Sequence, residues 1–148
     1  MDGVLIHEEH ALPGASEFLS ALREREIPFL VLTNNSIFTR RDLSARLASS
    51  GLDVPEQNIW TSATATATFL ATQSDSRRAY VVGEAGLTTA LYEHGFVMTN
   101  DNPDFVVLGE TRTYSIEALT QAIRLIGKGA RFIATNPDVT GPSADGPI

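Results

Sequence analysis

The chain contains no cysteine. That excludes disulfides, thiolate zinc sites and a cysteine nucleophile together. It also lacks any apolar run approaching the ~20 residues of a membrane-spanning helix. No basic start followed by an apolar stretch opens the sequence, so no secretory leader is read in it. Positive charge is scarce: the formal net charge is −7, with acids and bases scattered rather than blocked. Such a chain repels a phosphate backbone, which argues against an extended nucleic-acid surface. A small phosphorylated ligand remains compatible, because a local pocket can be positive inside a negative envelope. No Gly-x-Ser-x-Gly elbow or Walker loop is present. Val81-Val82-Gly83-Glu84-Ala85-Gly86 lacks the third glycine of a dinucleotide fingerprint. The lack of cysteine fits a cytoplasmic protein, which is the expectation, and 148 residues suit one ordinary domain.

What is present alternates between strand-like and helix-like segments. Pro13-Gly14 open an amphipathic stretch with Phe18, Leu19 and Leu22 on one face. Ile27 to Leu32 is an apolar run broken only by Pro28, which suits a buried parallel strand. Thr39 is placed to cap a helix carrying Leu43 and Leu47 and stopping at Gly51. Thr61 or Ser62 then caps a helix through Leu70. Its Ala-Thr alternation reads as a narrow face packed closely on a sheet. Ala79–Val82, Phe105–Leu108 and Arg131–Ala134 read as strands, with helices over Leu87–His94 and from Ser115 to Ile126 between them. From Asn136 the chain is loop-like. The alternation predicts an α/β architecture with parallel strands. A domain junction is expected in the polar stretch Ser74-Asp75-Ser76-Arg77-Arg78.

Three clusters could carry chemistry. Asp2-Gly3 puts a carboxylate beside a residue with no side chain, which lets backbone approach a phosphate or metal, although Asp-Gly is also a common turn. Thr33-Asn34-Asn35-Ser36 follows the apolar run, at the carboxyl end of a strand, where α/β sheets bind ligands. A hydroxyl and backbone N–H groups there can anchor a phosphoryl oxygen, or the segment is an Asn/Ser turn leading into a helix. Ala134-Thr135-Asn136-Pro137-Asp138 repeats that placement, with an Asx turn as the alternative. His7-Glu8-Glu9-His10 looks like a metal cluster, but adjacent residues do not converge on one ion, and a solvated loop is expected. His94, before Gly95, is expected to complement the end of its helix.

Taken together the clusters resemble the haloacid-dehalogenase superfamily of phosphatases. Met1-Asp2-Gly3-Val4-Leu5 fits the Asp-x-Asp-Gly-(Thr/Val)-Leu motif from its second position onward, and Leu32-Thr33-Asn34-Asn35-Ser36 fits the second motif. Leu12-Pro13-Gly14-Ala15, Val81-Val82-Gly83-Glu84, Asn102-Pro103-Asp104-Phe105-Val106-Val107 and Ala134-Thr135-Asn136-Pro137-Asp138 look like the NagD-type, C2-capped branch. The resemblance implies a partial doubly wound, Rossmann-like core over residues 1–77 and the first part of an α/β cap domain over 78–148. It also implies a Mg2+-dependent phosphomonoester hydrolase working through an aspartyl-phosphate intermediate. By the same resemblance Asp2 is the general acid/base and lends its backbone carbonyl to the metal. Thr33 binds the phosphoryl group with Asn34 and Asn35, Gly3 allows close approach, and Asn136 and Asp138 face the substrate from the cap. The implied partner is a small phosphorylated metabolite, a nucleoside monophosphate or sugar phosphate, with no nucleic acid and no membrane. A homo-oligomer is left open.

The sequence departs from the family in ways that matter. The family's nucleophile stands two positions before the acid/base, which here would precede Met1. Lys128 does not match the third-motif lysine in context, and the downstream acidic ligands are missing. A first strand is also missing before Asp2, and the chain stops in mid-loop at Asp145-Gly146-Pro147-Ile148. The expectation is a fragment truncated at both ends, inactive as written because its nucleophile is absent and folding poorly alone. A non-catalytic phosphate-binding module or a decayed remnant is the alternative.

Overall fold

The computed structural model describes residues 1–7 and 9–138. Glu8 and the terminal Asp145-Gly146-Pro147-Ile148 lie outside the described residues. By compactness the described chain divides in two. The first unit takes Met1–Thr33 and Arg40–Trp60, with Pro137 and Asp138, and the second takes Asn34–Thr39 and Thr61–Asn136.

In the first unit a short antiparallel hairpin pairs β1 (Ile6–His7) with β2 (His10–Ala11). Helix α1 (Ala15–Glu24) follows Gly14, whose φ of 85° is left-handed, and it buries Ala15 and Leu19. Phe18, expected on the buried face, is 57% exposed. Glu26 ends the helix region with a φ of 54°. The expected strand over Ile27–Leu32 is shorter than the apolar run, because β3 spans only Val31–Thr33. Pro28 has no N–H to give to a ladder, and the side chains alternate in environment, with Val31 buried and Leu30 and Leu32 exposed. Helix α2 (Arg40–Ser49) buries Leu43 and Leu47 at i, i+4 spacing. Each such burial contributes about 1.5–3 kcal/mol. A 3-10 turn over Glu56–Asn58 leads into β4 (Ile59–Thr61), which pairs with β3.

The second unit is a layered α/β structure. Helix α3 (Ser62–Ala71) is capped by Thr61, whose hydroxyl accepts the N–H of Thr64 at 3.0 Å. Beyond it lie β5 (Arg78–Val82), α4 (Ala85–Glu93), β6 (Val97–Met98), β7 (Phe105–Leu108), α5 (Ile116–Gly127) and β8 (Arg131–Ala134). The sheet order is β6-β5-β7-β8, every neighbouring pair parallel. Strand residues alternate faces. Ala79, Phe105 and Val107 pack with Ala63, Ala67 and Leu70 of α3 and Leu87 and Leu91 of α4. Val82 and Val106 pack with Ala122 and Leu125 of α5 on the opposite face. A sheet covered on both faces explains why β7 reads as a continuous apolar run. The Ala-Thr segment does form a close-packed helix face. Ser115 caps α5 by accepting the N–H of Ala118 at 3.3 Å. His94 lies just past α4, where its Nδ1 stands 2.8 Å from the carbonyl of Ala90 and its Nε2 stands 3.1 Å from Thr68 Oγ1.

Asp104, immediately before β7, ties the polar 74–78 connection to the sheet. Its Oδ2 accepts the hydroxyls of Ser76 and Ser74 and the backbone N–H of Arg78. The Ser76 hydroxyl does most to hold the carboxyl below its usual range. Partial burial opposes that effect, while Ser74, the Arg78 N–H and the Arg78 charge add to it. Folding therefore lowers this pKa. The group adds stability above the unfolded value of ~3.9 and loses it as pH falls through the folded value.

Two outcomes are expected in urea unfolding. Phe105→Ala, at a ring fully buried edge-on to Phe96 with centroids 6.3 Å apart, costs about 3–5 kcal/mol, whereas Phe18→Ala costs less than about 1 kcal/mol. Equal costs would contradict the assignment of these rings. Asp104→Asn costs about 1 kcal/mol at pH 7, a difference that closes below about pH 4. A difference unchanged at pH 3 would remove the carboxylate from the account.

Candidate active site

Within the first unit, the amino-terminal turn lies beside the end of β3. The Met1 ammonium donates to the carbonyl of Leu32 at 2.8 Å, one residue before Thr33. The N–H groups of Val4 and Leu5 return to the Met1 carbonyl at 3.3 and 3.0 Å, and the N–H of Gly3 donates to Ile6 at 2.8 Å. Asp2 makes an isolated parallel bridge with Ile6 and is exposed. Gly3 has a φ of 70°, and a Cβ added there would meet nothing within 4 Å. Among the described protein atoms it is backbone conformation, not space, that asks for glycine at this position. Asp2, Gly3 and Thr33 are thus gathered at the carboxyl end of one strand, where open α/β sheets place ligands. Asp138 groups with this unit and is exposed.

Asn34, Asn35 and Asn136 belong to the second unit. The side-chain oxygen of Asn35 accepts the N–H groups of Ile37 and Phe38 at 3.1 and 2.9 Å, so the turn alternative for this segment is real. The Ser62 hydroxyl donates to the carbonyl of Asn34 at 2.7 Å and reaches that of Asn35 at 3.2 Å. Ser36 is fully buried. Its Oγ accepts the N–H of Glu110 at 3.0 Å and the hydroxyl of Thr135 at 3.3 Å. Thr135 directly precedes Asn136, so the three asparagines are drawn to one end of this unit. The sequence reading missed Ser36 as an anchor, along with Glu110. Its partners lie 74 and 99 residues away, and no local periodicity signals them.

His7 and His10 face each other across the β1–β2 hairpin and are exposed. Among the described residues no group of three or more His, Asp or Glu converges to hold a metal ion. Asp2 is the one acidic residue in the 1–5 turn. The described residues therefore do not amount to a complete divalent-metal site.

This arrangement, a carboxylate turn and a strand-ending threonine in an α/β chain, matches a known class. The family model for haloacid dehalogenase-like hydrolases matches residues 1–97, and the chain belongs to that family. It is 66% identical over 146 residues to the dihydroxyacetone phosphatase of Corynebacterium glutamicum (strain R), covering 99% of this chain and 53% of that protein. It is 48% identical over 141 residues to the ribonucleotide monophosphatase NagD of Escherichia coli (strain K12), covering 95% of this chain and 56% of that one. The solved structure of NagD from E. coli K-12 superposes with a TM-score of 0.90 at 46% identity, covering 99% of this chain and 58% of that one. The chain spans about half the length of the curated relatives it matches.

The Gly3 conformation sets a local test. Gly3→Ala destabilises the amino-terminal turn by about 1–2 kcal/mol, and Gly3→Asn by less, since asparagine tolerates the left-handed region. Faster amide exchange at Gly3 and Leu5 in the alanine variant is the expected readout. Unchanged exchange would mean that the positive φ is not held in solution.

Proposed function

We propose that the protein of which this chain is the matched stretch is a phosphomonoester hydrolase acting on a small phosphorylated metabolite, a sugar phosphate or nucleoside monophosphate. What supports the reading most is the juxtaposition of Asp2-Gly3 with the Leu32–Thr33 end of β3 in a chain of the haloacid dehalogenase-like family. The names of relatives point the same way, since proteins 66% and 48% identical to this chain are named dihydroxyacetone phosphatase and ribonucleotide monophosphatase.

In this reading Asp2 is the general acid/base. Its carboxyl protonates the leaving oxygen and then takes a proton from the attacking water. Thr33 donates its hydroxyl to the phosphoryl group, and Asn34 and Asn35 contribute backbone N–H groups. Gly3 keeps the turn clear of side-chain bulk, and Asn136 and Asp138 contact the substrate. The carboxylate that the family carries two positions before Asp2 attacks phosphorus as the bond to the leaving oxygen breaks, giving an aspartyl-phosphate (an acyl phosphate), and water then attacks that phosphorus and frees the carboxylate. The divalent ion of this reading is Mg2+, a hard cation that takes oxygen ligands; the Asp2 carbonyl would be one of them, and the bound ion would supply charge neutralisation to the phosphoryl oxygens. The remaining ligands come from outside the described residues. Residues 1–77 form the front of the catalytic core and 78–148 the first part of a cap that shapes substrate choice. The protein works in the cytoplasm, without nucleic-acid or membrane partners. Among the described residues no helix is long and apolar enough to cross a membrane.

The test is phosphate release by the full-length protein from a panel of small phosphomonoesters with Mg2+. Turnover that EDTA abolishes is expected. Asp2→Asn lowers kcat about 100-fold or more and Thr33→Ala lowers kcat/KM by roughly 10- to 100-fold. Tight binding of phosphate esters without turnover would instead identify a binding module. Wild-type rates in Asp2→Asn would remove that residue from the chemistry.

A further inference from the structure

In the second unit the chain leaves β5 through α4 toward one face of the sheet and leaves β7 through α5 toward the other. Adjacent parallel strands whose connections diverge in this way open a crevice at their carboxyl ends, the place where such sheets bind ligands. Here the crevice is filled by the chain itself. The N–H of Gly86, in the first turn of α4, donates to the carbonyl of Ile37 at 2.8 Å. The N–H of Glu110, just past β7, donates to the buried hydroxyl of Ser36 at 3.0 Å. Space is made for this on both walls. A Cβ on Gly86 would collide with the Phe38 carbonyl oxygen, and one on Gly109 would stand 2.8 Å from Leu87 Cδ2 and 3.3 Å from Ser36 Oγ. Real side chains do not tolerate the first contact.

The strand-glycine-helix turn at 81–86 therefore spends its amide on the protein's own loop. The loop it holds contains Asn34 and Asn35, whose carbonyls are fixed a second time by the Ser62 hydroxyl. We propose that this crevice is a latch for the 34–39 loop, and that Ser36 and Gly86 are positioning residues that set the backbone of Asn34 and Asn35 toward a phosphoryl group. The inference rests on the phosphatase reading above. Donors preset in this way matter most against the charge of the transition state, so loosening the latch lowers kcat more than it raises KM.

The test uses the full-length protein with Mg2+, in wild-type form and as Ser36→Ala, Gly86→Ala and Asp104→Asn. Asp104 stands at the opposite end of β7 and serves as a stability control. Steady-state kinetics are read beside amide exchange at Gly86, Glu110 and Val106–Leu108. In both latch variants kcat falls roughly tenfold or more while KM moves less than about threefold. The Gly86 and Glu110 positions lose protection, and Val106–Leu108 keep theirs. Asp104→Asn retains wild-type kcat. Latch variants that lose protection at positions 86 and 110 yet keep wild-type kcat overturn the proposal, as does retained protection in both. An equal fall of kcat in Asp104→Asn also overturns it, because general destabilisation then accounts for the loss. A wild type that releases no phosphate overturns the phosphatase reading and this inference together. A wild type that turns over normally alongside unaffected latch variants overturns this inference alone.

Discussion

Parallel pairing of β5, β7 and β8 turns the carboxyl ends of all three strands to the same side of the second unit. The loops that leave those ends, at Gly83, Gly109 and Thr135, are thereby brought together without any side chain having to gather them. Around them the 34–39 loop finds its hydrogen-bond partners, with Ser36 buried among them. A buried hydroxyl without partners would cost free energy. Here it has both an N–H donor and a hydroxyl donor. The loop conformation is thus tied to the sheet's strand direction, and the sheet to the two-sided burial of Phe105, Val106 and Val107.

The first unit uses a smaller version of the same rule. The carboxyl end of β3 receives the amino-terminal turn through the Met1–Leu32 hydrogen bond, and Gly3 takes the left-handed conformation that closes the turn. Several apolar side chains of this unit remain exposed, among them Val4, Phe18, Leu30 and Leu32.

Much of the second unit was legible from residue pattern. Phe105–Leu108 is a strand with the expected bounds, because a doubly covered strand is apolar along its length and is bounded by turn residues. Arg131–Ala134 also has the expected bounds, as a largely exposed edge strand set off by Gly129. Ser115 and Thr61 are caps because their hydroxyls replace missing helix partners. Less was legible where elements are short. The two-residue strands β1, β2 and β6 carry no period to read, and the Ile27–Leu32 run promised more strand than Pro28 and the turn at Glu26 permit. At the site, Asp2, Gly3, Thr33 and the asparagines stood out because strand ends and Gly or Asn turns are local signals. Ser36 and Gly86 did not, since their roles come from contacts far apart in sequence.

The central claim is that Asp2 is the second carboxylate of a phosphoryl-transfer pair, and it depends on the first. The most direct measurement is the sequence of the coding DNA upstream of Met1. The account predicts an in-frame aspartate codon immediately before the Met1 codon, preceded by codons for an apolar strand. A stop codon, or any other residue at that position, would contradict it, because the Asp2 carboxyl would then have no nucleophile to serve.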